Sequence, residues 1–242
     1  MALIIWQILC QAGFIKPIVL PAPVKVAQTF GEQLSSGQLA KHIGISILRV
    51  LEGFGAAALS GIVIGVGVGL SAKLDRLTAF FIQMTKPIPP IAWIPLAILW
   101  FGIGEPSKVF IIFVGTFFPI VVNVIDGIRQ TDYKLVELAR ILEISRKRFI
   151  WKVVLPGALP SIMTGLRVGL GMAWMCVVAA ELIAATQGIG YLIMDGRQLS
   201  QPEVVIVGMI TIGVIGKLMD DLLKKLEQKL IGWKTAYAGK YI

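Results

Sequence analysis

The chain has 242 residues, 56% of them hydrophobic and 15% charged, and its formal net charge is +9. Soluble domains carry about 25% charged residues, so this composition excludes an ordinary water-soluble domain and indicates a helical protein that crosses a membrane several times. The positive charge lies in a few loops and at the C-terminus, which argues against nucleic-acid binding. Cys10, Cys176 and the lone His42 stand apart in the sequence, so we predict neither a metal site nor a catalytic residue.

Residues 1–40 are predicted to form a partial membrane helix and an outer loop. The apolar stretch 1–9 is too short to cross about 30 Å of hydrocarbon, so we expect the first membrane helix to start before residue 1. It has no basic n-region and no small-residue cleavage site, which disfavours a signal peptide. Prolines between 17 and 23 end this helix, and 24–38 is predicted to be a surface helix.

The second span is predicted over 41–70. Arg49 and Glu52 lie three residues apart in it, so they could pair on one helix face. A phosphate-binding loop is disfavoured, because the flanks are apolar and no Lys-Ser or Lys-Thr follows the glycines. Small residues at four-residue spacing allow a neighbouring helix to approach closely. Three glycines have this spacing: Gly61, Gly65 and Gly69.

The third span, predicted over 77–101, contains four prolines within nine residues, which is incompatible with a regular helix. Broken backbone inside a membrane is tolerated only where it is buried in protein or lines a water-filled cavity. The segment is therefore a candidate for a translocation pathway, with Pro89, Pro90 and Trp93 as its lining residues. A kinked packing element without substrate contact is the alternative.

Charge predicts the orientation of the remaining spans. The loop 129–152 carries seven basic and three acidic residues, so the positive-inside rule places it in the cytoplasm. Lys73, Arg76 and the C-terminal lysines fall on the same side, whereas 102–108 and 186–202 fall outside. The remaining spans are predicted over 109–128, 158–185 and 204–223.

Two ionisable residues lie in the fifth span. Glu181 is the only acid between 158 and 185, and an ionisable residue inside a membrane is by default a functional candidate. We expect it to pair with a buried arginine or a backbone donor, or to face outer water. Arg167 lies fourteen residues away, roughly 21 Å along a helix, so it is out of reach of Glu181 and is expected near the cytoplasmic mouth. Trp174 is either a packing residue or a gate.

The segment 131–149 is predicted to be a short helix across the cytoplasmic end of the bundle. Its apolar residues recur at helical spacing, with charged residues on the other face. On physical grounds this helix either binds a partner protein or lies in the interface, anchored to anionic lipid. The prolines at 156 and 160 are expected to mark the start of the next helix.

This segment resembles the cytoplasmic loop of the permeases of binding-protein-dependent ABC importers. The pattern there is Glu-Ala-Ala, three residues, Gly, nine residues, Ile, one residue and Leu-Pro. This chain keeps the spacing, with Leu138 for the first Ala, Glu143 for the Gly and Val153 for the Ile. Because the usual glycine breaks the helix, Glu143 is expected to lengthen it. The resemblance assigns ATPase coupling to eight loop residues: Glu137, Leu138, Ala139, Leu142, Glu143, Leu155, Pro156 and Gly157.

The resemblance extends over nearly the whole chain. It is strongest to the nitrate, sulfonate, taurine and bicarbonate subgroup, and within it to the taurine and alkanesulfonate permeases. The segments of this chain that show the similarity are 89–96, 100–105, 155–160, 164–167 and 180–186.

The resemblance implies an all-α polytopic fold, the type I ABC importer transmembrane domain, with about six membrane helices and a short cytoplasmic coupling helix. The permease domain would be 41–232 with its coupling loop at 129–156, and 233–242 a cytoplasmic tail. The implied partners are a second copy of the chain, two ATPase subunits, an external substrate-binding protein and the lipid of the inner membrane. Since the chain has no Walker A motif, it is not expected to be an enzyme, and ATP and Mg would be held by the ATPase.

The expected function is the passage of a small anion, such as taurine or an alkanesulfonate. Pathway candidates are Pro89, Pro90, Trp93, Trp174 and Glu181, although Glu181 could instead contact the binding protein. Nitrate, bicarbonate or a small organic precursor are alternative cargoes. A secondary transporter or a membrane assembly protein is a distant alternative, because a single interior acid and no internal repeat argue against ion-driven transport.

Overall fold

The computed structural model describes residues 2–231, with side chains from residue 4; the predicted tail 233–242 lies outside the described residues. Every regular element in the described part is helical, which confirms the all-α fold. In chain order the helices are α1 (Ala2–Gln11), α2 (Pro23–Ser35), α3 (Gln38–Leu70), α4 (Ala72–Thr85), α5 (Ile94–Phe101), α6 (Glu105–Arg129), α7 (Tyr133–Ile141), α8 (Arg146–Phe149), α9 (Leu155–Ala184), α10 (Ile189–Gln198) and α11 (Pro202–Leu230).

Four helices of the described part are long and apolar enough to cross a membrane. They are Gln38–Leu70, Glu105–Arg129, Arg146–Ala184 and Pro202–Leu230, which correspond to the predicted second, fourth, fifth and last spans. All four exceed the predicted lengths, because their polar ends continue the helix beyond the apolar segment that hydropathy detects. The N-terminal helix α1 has 10 residues.

The predicted third span is divided. The helix α4 ends at Thr85, and regular structure resumes with a 3₁₀ turn at Pro90–Trp93 that leads into α5. Prolines supply no amide hydrogen and clash with the preceding turn, so no continuous α-helix joins α4 to α5, and the segment between them contains only single turns, such as those closed by the hydrogen bonds from Ile88 to Thr85 and from Ala92 to Pro89. The break predicted from the four prolines is confirmed.

The chain forms two compact units, each assembled from three stretches. Of the described residues, the first unit takes those up to 55 together with 89–115 and 172–217, and the second takes 56–88, 116–171 and those from 218 onwards. In the first unit a buried apolar cluster joins α2, α3, α10 and α11; its members are Val26, Leu39, Leu192, Val204 and Val207. In the second unit Val68, Val121 and Ile125 form a buried cluster of α3 and α6 residues.

The glycines of α3 allow close packing on α6 within the second unit. A Cβ atom at Gly65 would lie 2.7 Å from the Cβ of Val124, and atoms of Ile120 and Ile128 are 3.0 Å from the corresponding positions at Gly61 and Gly69. Real Cβ atoms essentially never approach as closely as 2.7 Å and rarely as closely as 3.0 Å, so a larger residue at Gly65 would push α6 away, and one at Gly61 or Gly69 would require its neighbour to shift. The helix-packing role predicted for these glycines is confirmed.

Candidate functional site

Helix α7 is a short helix with defined caps at both ends. At its N-terminus, Asp132 Oδ1 accepts a hydrogen bond of 2.9 Å from the amide of Lys134, which satisfies one of the free amides of the first turn. At its C-terminus, the amide of Glu143 donates to the carbonyl of Arg140 at 3.1 Å, and the amide of Ile144 donates to the carbonyl of Ala139 at 2.9 Å. These two bonds form a Schellman motif, which terminates the helix.

The Schellman motif places Glu143 in the left-handed region, with φ at +49°. This position favours glycine, because an L-residue there brings its Cβ too close to the carbonyl oxygen. The prediction that Glu143 lengthens the coupling helix is therefore wrong: α7 ends at Ile141, and 131–149 is not one helix. The backbone turns where the family pattern has glycine, even though this chain has a glutamate.

The apolar face of α7 is exposed. Relative exposure is 77% for Ile141, 60% for Leu142 and 50% for Leu138. Glu137 and Glu143 are also on the surface, whereas Ala139, at 8%, faces the protein. Three large apolar side chains on one short amphipathic helix form an unusual surface unless something covers them. Ala139, by contrast, is not available to a partner.

The helix that follows the loop begins earlier than predicted. Continuous helical backbone runs from Arg146 to Ala184; Pro156 lies at the start of its α-helical part α9, as predicted, whereas Pro160 lies inside α9. A π turn at Ile150–Val154 directly precedes Leu155. A wider turn at this point is consistent with a following proline, whose ring clashes with the carbonyl four residues earlier in a regular α-helix. Of the remaining loop candidates, Leu155 and Pro156 are half-buried and Gly157 is exposed.

A buried charge cluster occupies the first unit, centred on Arg49 of α3. Its guanidinium binds Glu105 through Nε at 2.5 Å and Nη2 at 2.6 Å, and Nη1 donates to Glu181 Oε1 at 2.8 Å. The same Nη1 donates to the carbonyl of Gln187 at 2.7 Å. Lys108 Nζ adds a second cation, 3.0 Å from Glu105 Oε1. Two bases and two acids thus balance in charge.

The cluster also binds the first turn of α10. The amide of Gly190 donates to Glu181 Oε2 at 2.8 Å, and the amide of Ile189 donates to Ser46 Oγ at 2.9 Å. Ser46 in turn donates to the Glu181 carboxylate at 2.7 Å. A carboxylate at a helix N-terminus is favoured by the helix dipole and by the free amides there. A Cβ atom at Gly188 or Gly190 would overlap Glu181, so close approach requires glycine at both positions.

Two predictions about these charges have different outcomes. Glu181 is 1% exposed and is bound by a buried arginine and a backbone amide, as predicted, and Arg167 is not among its partners. The predicted pairing of Arg49 with Glu52 is wrong: Arg49 is turned into the protein, whereas Glu52 is exposed. Sequence reasoning did not select Arg49 as a site residue, although the argument that selected Glu181, an ionisable side chain within an apolar span, applies equally to it.

The other pathway candidates lie in the first unit with Glu181. Trp174 is 6% exposed, and its indole ring lies 3.7 Å from where a Cβ atom at Gly216 would be. Trp93 is half-buried and Pro89 is exposed. Pro90 and Cys176 pack around Gly115 so closely that a side chain there would overlap them. Within the part of the chain that the structure describes, the indole Nε1 atoms of both tryptophans are buried and have no hydrogen-bond partner. That these residues line a pathway stays a prediction.

Ion pairs in the second unit join other elements. Arg129, at the end of α6, binds Asp75 of α4 at 2.5 Å. Arg167 of α9 makes two hydrogen bonds of 2.9 Å to Asp220 of α11, with Glu227 at 3.6 Å. Between residues 4 and 231, no group of three or more His, Cys, Asp or Glu side chains is arranged to hold a metal ion.

The helices, the broken third span and the exposed loop helix together define the membrane subunit of a transporter. The chain belongs to the family of binding-protein-dependent transport system inner membrane components, whose model matches residues 59–232. Members of this family are permease subunits of ABC importers, not enzymes, and they work with ATPase subunits.

Two relatives and one solved structure illustrate the similarity. The chain is 44% identical to a Bacillus subtilis protein, provisionally described as an aliphatic sulfonates transport permease, over 97% of this chain and 85% of the relative. It is 36% identical to the taurine transport system permease protein of Escherichia coli, over 96% and 86%. A chain of an amino acid ABC transporter crystallised with histidines matches 82% of this chain and 97% of its own length, with a TM-score of 0.68 and 14% identity. That likeness concerns the fold alone.

Proposed function

We propose that this chain forms the translocation pathway of an importer for small alkanesulfonates and that a separate ATPase drives it by docking on α7. The main observation that supports this docking is the exposed apolar face of α7, which lies at the position of the family's coupling motif. Ile141, Leu142 and Leu138 would be buried on docking, and the carboxylates of Glu137 and Glu143 would supply polar contacts at the rim. Such an apolar centre with a polar rim is typical of stable protein interfaces.

Two copies of this chain would associate with two ATPase subunits, which hold ATP and Mg. An external binding protein would deliver the cargo on the opposite side. Ion pairs support this orientation, because Asp75 near the start of α4 and Arg129 at the end of α6 join two segments that charge predicts to be cytoplasmic. In the same way, Arg49 joins Glu105 and Gln187, which belong to the two loops predicted to be outside. The C-terminus would lie in the cytoplasm.

Alkanesulfonate is the preferred cargo because the sulfonate relative is more similar to this chain than the taurine relative, at 44% against 36% identity. Trp6, Trp93 and Trp174 have buried indole N–H groups without a hydrogen-bond partner, and the two pathway candidates among them, Trp93 and Trp174, suit the same cargo. A sulfonate has three acceptor oxygens and no donor, so it would satisfy such donors without adding an unpaired one. We propose that these residues, with Pro89 and Pro90, line the pathway.

Transport in proteoliposomes tests the proposal. The complex of this chain and the ATPase would be reconstituted in vesicles loaded with ATP, with the binding protein and labelled ethanesulfonate added outside. Unlabelled longer alkanesulfonates, taurine, nitrate and bicarbonate would be added in turn as competitors. ATP-dependent uptake that alkanesulfonates inhibit best would support the proposal. If nitrate or bicarbonate inhibits uptake best, that anion is the substrate and the assignment of alkanesulfonate is wrong. Uptake without the ATPase would refute the importer mechanism.

A further inference from the structure

Glu105 is the accessible end of an otherwise buried charge cluster. Its side chain is 58% exposed, whereas those of Arg49 and Lys108, its two partners, are 4% and 6% exposed. Glu181, at the other end of the cluster, is fully buried. The exposed oxygens of this carboxylate can accept a further donor from outside at small cost, whereas complete loss of the carboxylate would remove a compensating charge from the buried side chains of Arg49 and Lys108. The exposed carboxylate is therefore the part of the cluster that can be engaged from outside.

Arg49 connects this exposed carboxylate to α10. The same guanidinium that binds Glu105 donates to Glu181 and to the carbonyl of Gln187. Glu181 in turn accepts the amide of Gly190 in the first turn of α10. One side chain thus holds together the two loops that charge predicts to be outside, and a change at Glu105 acts directly on the group that fixes the start of α10.

The surroundings of Glu105 suit a protein partner. Ile103, two residues earlier and between α5 and α6, is 81% exposed, and Phe101 is 47% exposed. An apolar anchor beside a partly exposed charge is a common arrangement in protein interfaces. An acidic group at such a site attracts a partner that presents a lysine or an arginine.

We propose that Glu105 is the docking residue for a basic side chain of the external binding protein and that Arg49 is the positioning residue that links this contact to α10. The inference rests on the proposed function, since it places the binding protein on the side of 102–108. When a cation from the binding protein binds Glu105, it competes with Arg49 and Lys108 for that carboxylate, while Arg49 keeps Glu181. The contact thereby weakens the connection between α6 and α10 only while the binding protein is docked.

The first test measures ATPase activity of the complete complex in nanodiscs against the concentration of ethanesulfonate-loaded binding protein. Glu105→Gln should raise the half-saturating concentration about fivefold, the upper range for an exposed ion pair, and should flatten its dependence on salt. Glu105→Asp keeps the charge and should show a smaller shift. The matched control is Glu52→Gln, an exposed acid on the same helix as Arg49 and one turn away, and it should behave like the unchanged complex.

The second test does not depend on the stability of the charge cluster. Benzoylphenylalanine placed at Ile103 should crosslink to the binding protein on illumination, whereas the same group at Ile141 of α7 should crosslink to the ATPase and not to the binding protein. Crosslinks from Ile103 to lipid or ATPase only would overturn the inference, as would a Glu105→Gln complex with the half-saturating concentration and salt dependence of the unchanged one. If the unchanged complex shows no response to loaded binding protein, the proposed function itself fails.

Discussion

The exposed apolar face of α7 yields a quantitative prediction for ATPase binding. Ile141 has the largest exposure of its three apolar side chains, at 77%. Full burial of an isoleucine contributes about 1.5–3 kcal/mol, so docking that covers this side chain should gain most of that range. Alanine retains only the Cβ, and Ile141→Ala should therefore lose about 1.5 kcal/mol, which corresponds to roughly tenfold weaker ATPase binding.

Biolayer interferometry with immobilised permease in detergent and the purified ATPase in solution measures this loss. The matched control is Leu199→Ala, because Leu199 is 60% exposed but follows α10 in a segment predicted to be outside. The control should bind the ATPase as the unchanged protein does. If Ile141→Ala binds within twofold of the unchanged protein while the control is also normal, α7 does not dock through its apolar face and the coupling argument is wrong.

Three further substitutions test other features of the structure. Glu143→Gly should relieve the left-handed strain and, after allowance for the greater freedom of glycine in the unfolded chain, stabilise the protein by about 0.5–1 kcal/mol; a lower thermal midpoint in detergent would contradict this. Gly65→Val should disrupt the packing of α3 on α6 and reduce the yield of folded protein in size-exclusion chromatography, whereas Gly55→Val, where the structure has open space, should not. Trp174→Phe removes an indole donor and should raise the KM of sulfonate uptake about tenfold, whereas the exposed Trp151→Phe should leave uptake unchanged; equal KM values for both would exclude Trp174 as a pathway donor.

The spans and the break in the third span could be predicted because they depend on local properties. Hydropathy marks the apolar centre of each long helix, and four closely spaced prolines exclude a regular helix whatever surrounds them. The glycine packing of α3 was predictable for the same reason, since spacing alone puts Gly61, Gly65 and Gly69 on one face. Helix α10 was missed, because Ile189–Gln198 is short and mixes polar with apolar residues.

The end of α7 could not be predicted from residue type. Glutamate favours a helix interior, so replacement of the usual glycine by Glu143 suggested a longer helix. In the structure two backbone hydrogen bonds fix the turn, and the glutamate takes the left-handed conformation that the motif requires. The position in the motif outweighs the local preference, at a cost that the Glu143→Gly experiment measures.

The partners of Arg49 illustrate a second limit of sequence reasoning. A neighbour three residues away, Glu52, satisfied the local pairing rule, whereas the actual partners lie 56 and 132 residues away at Glu105 and Glu181. Arg49 turns towards the protein interior, as charged side chains within membrane spans usually do, and meets the long-range acids there, whereas Glu52 on the same span stays exposed. Which acids these are depends on helix packing, which the sequence does not specify by itself.

The most direct test of the central claim is co-purification of this chain with its ATPase after co-expression, followed by native mass spectrometry and an ATPase assay. We predict a complex with two copies of each subunit, whose ATP hydrolysis rises when sulfonate-loaded binding protein is added. A chain that purifies without an ATPase, in a detergent that preserves the membrane dimer, would contradict it.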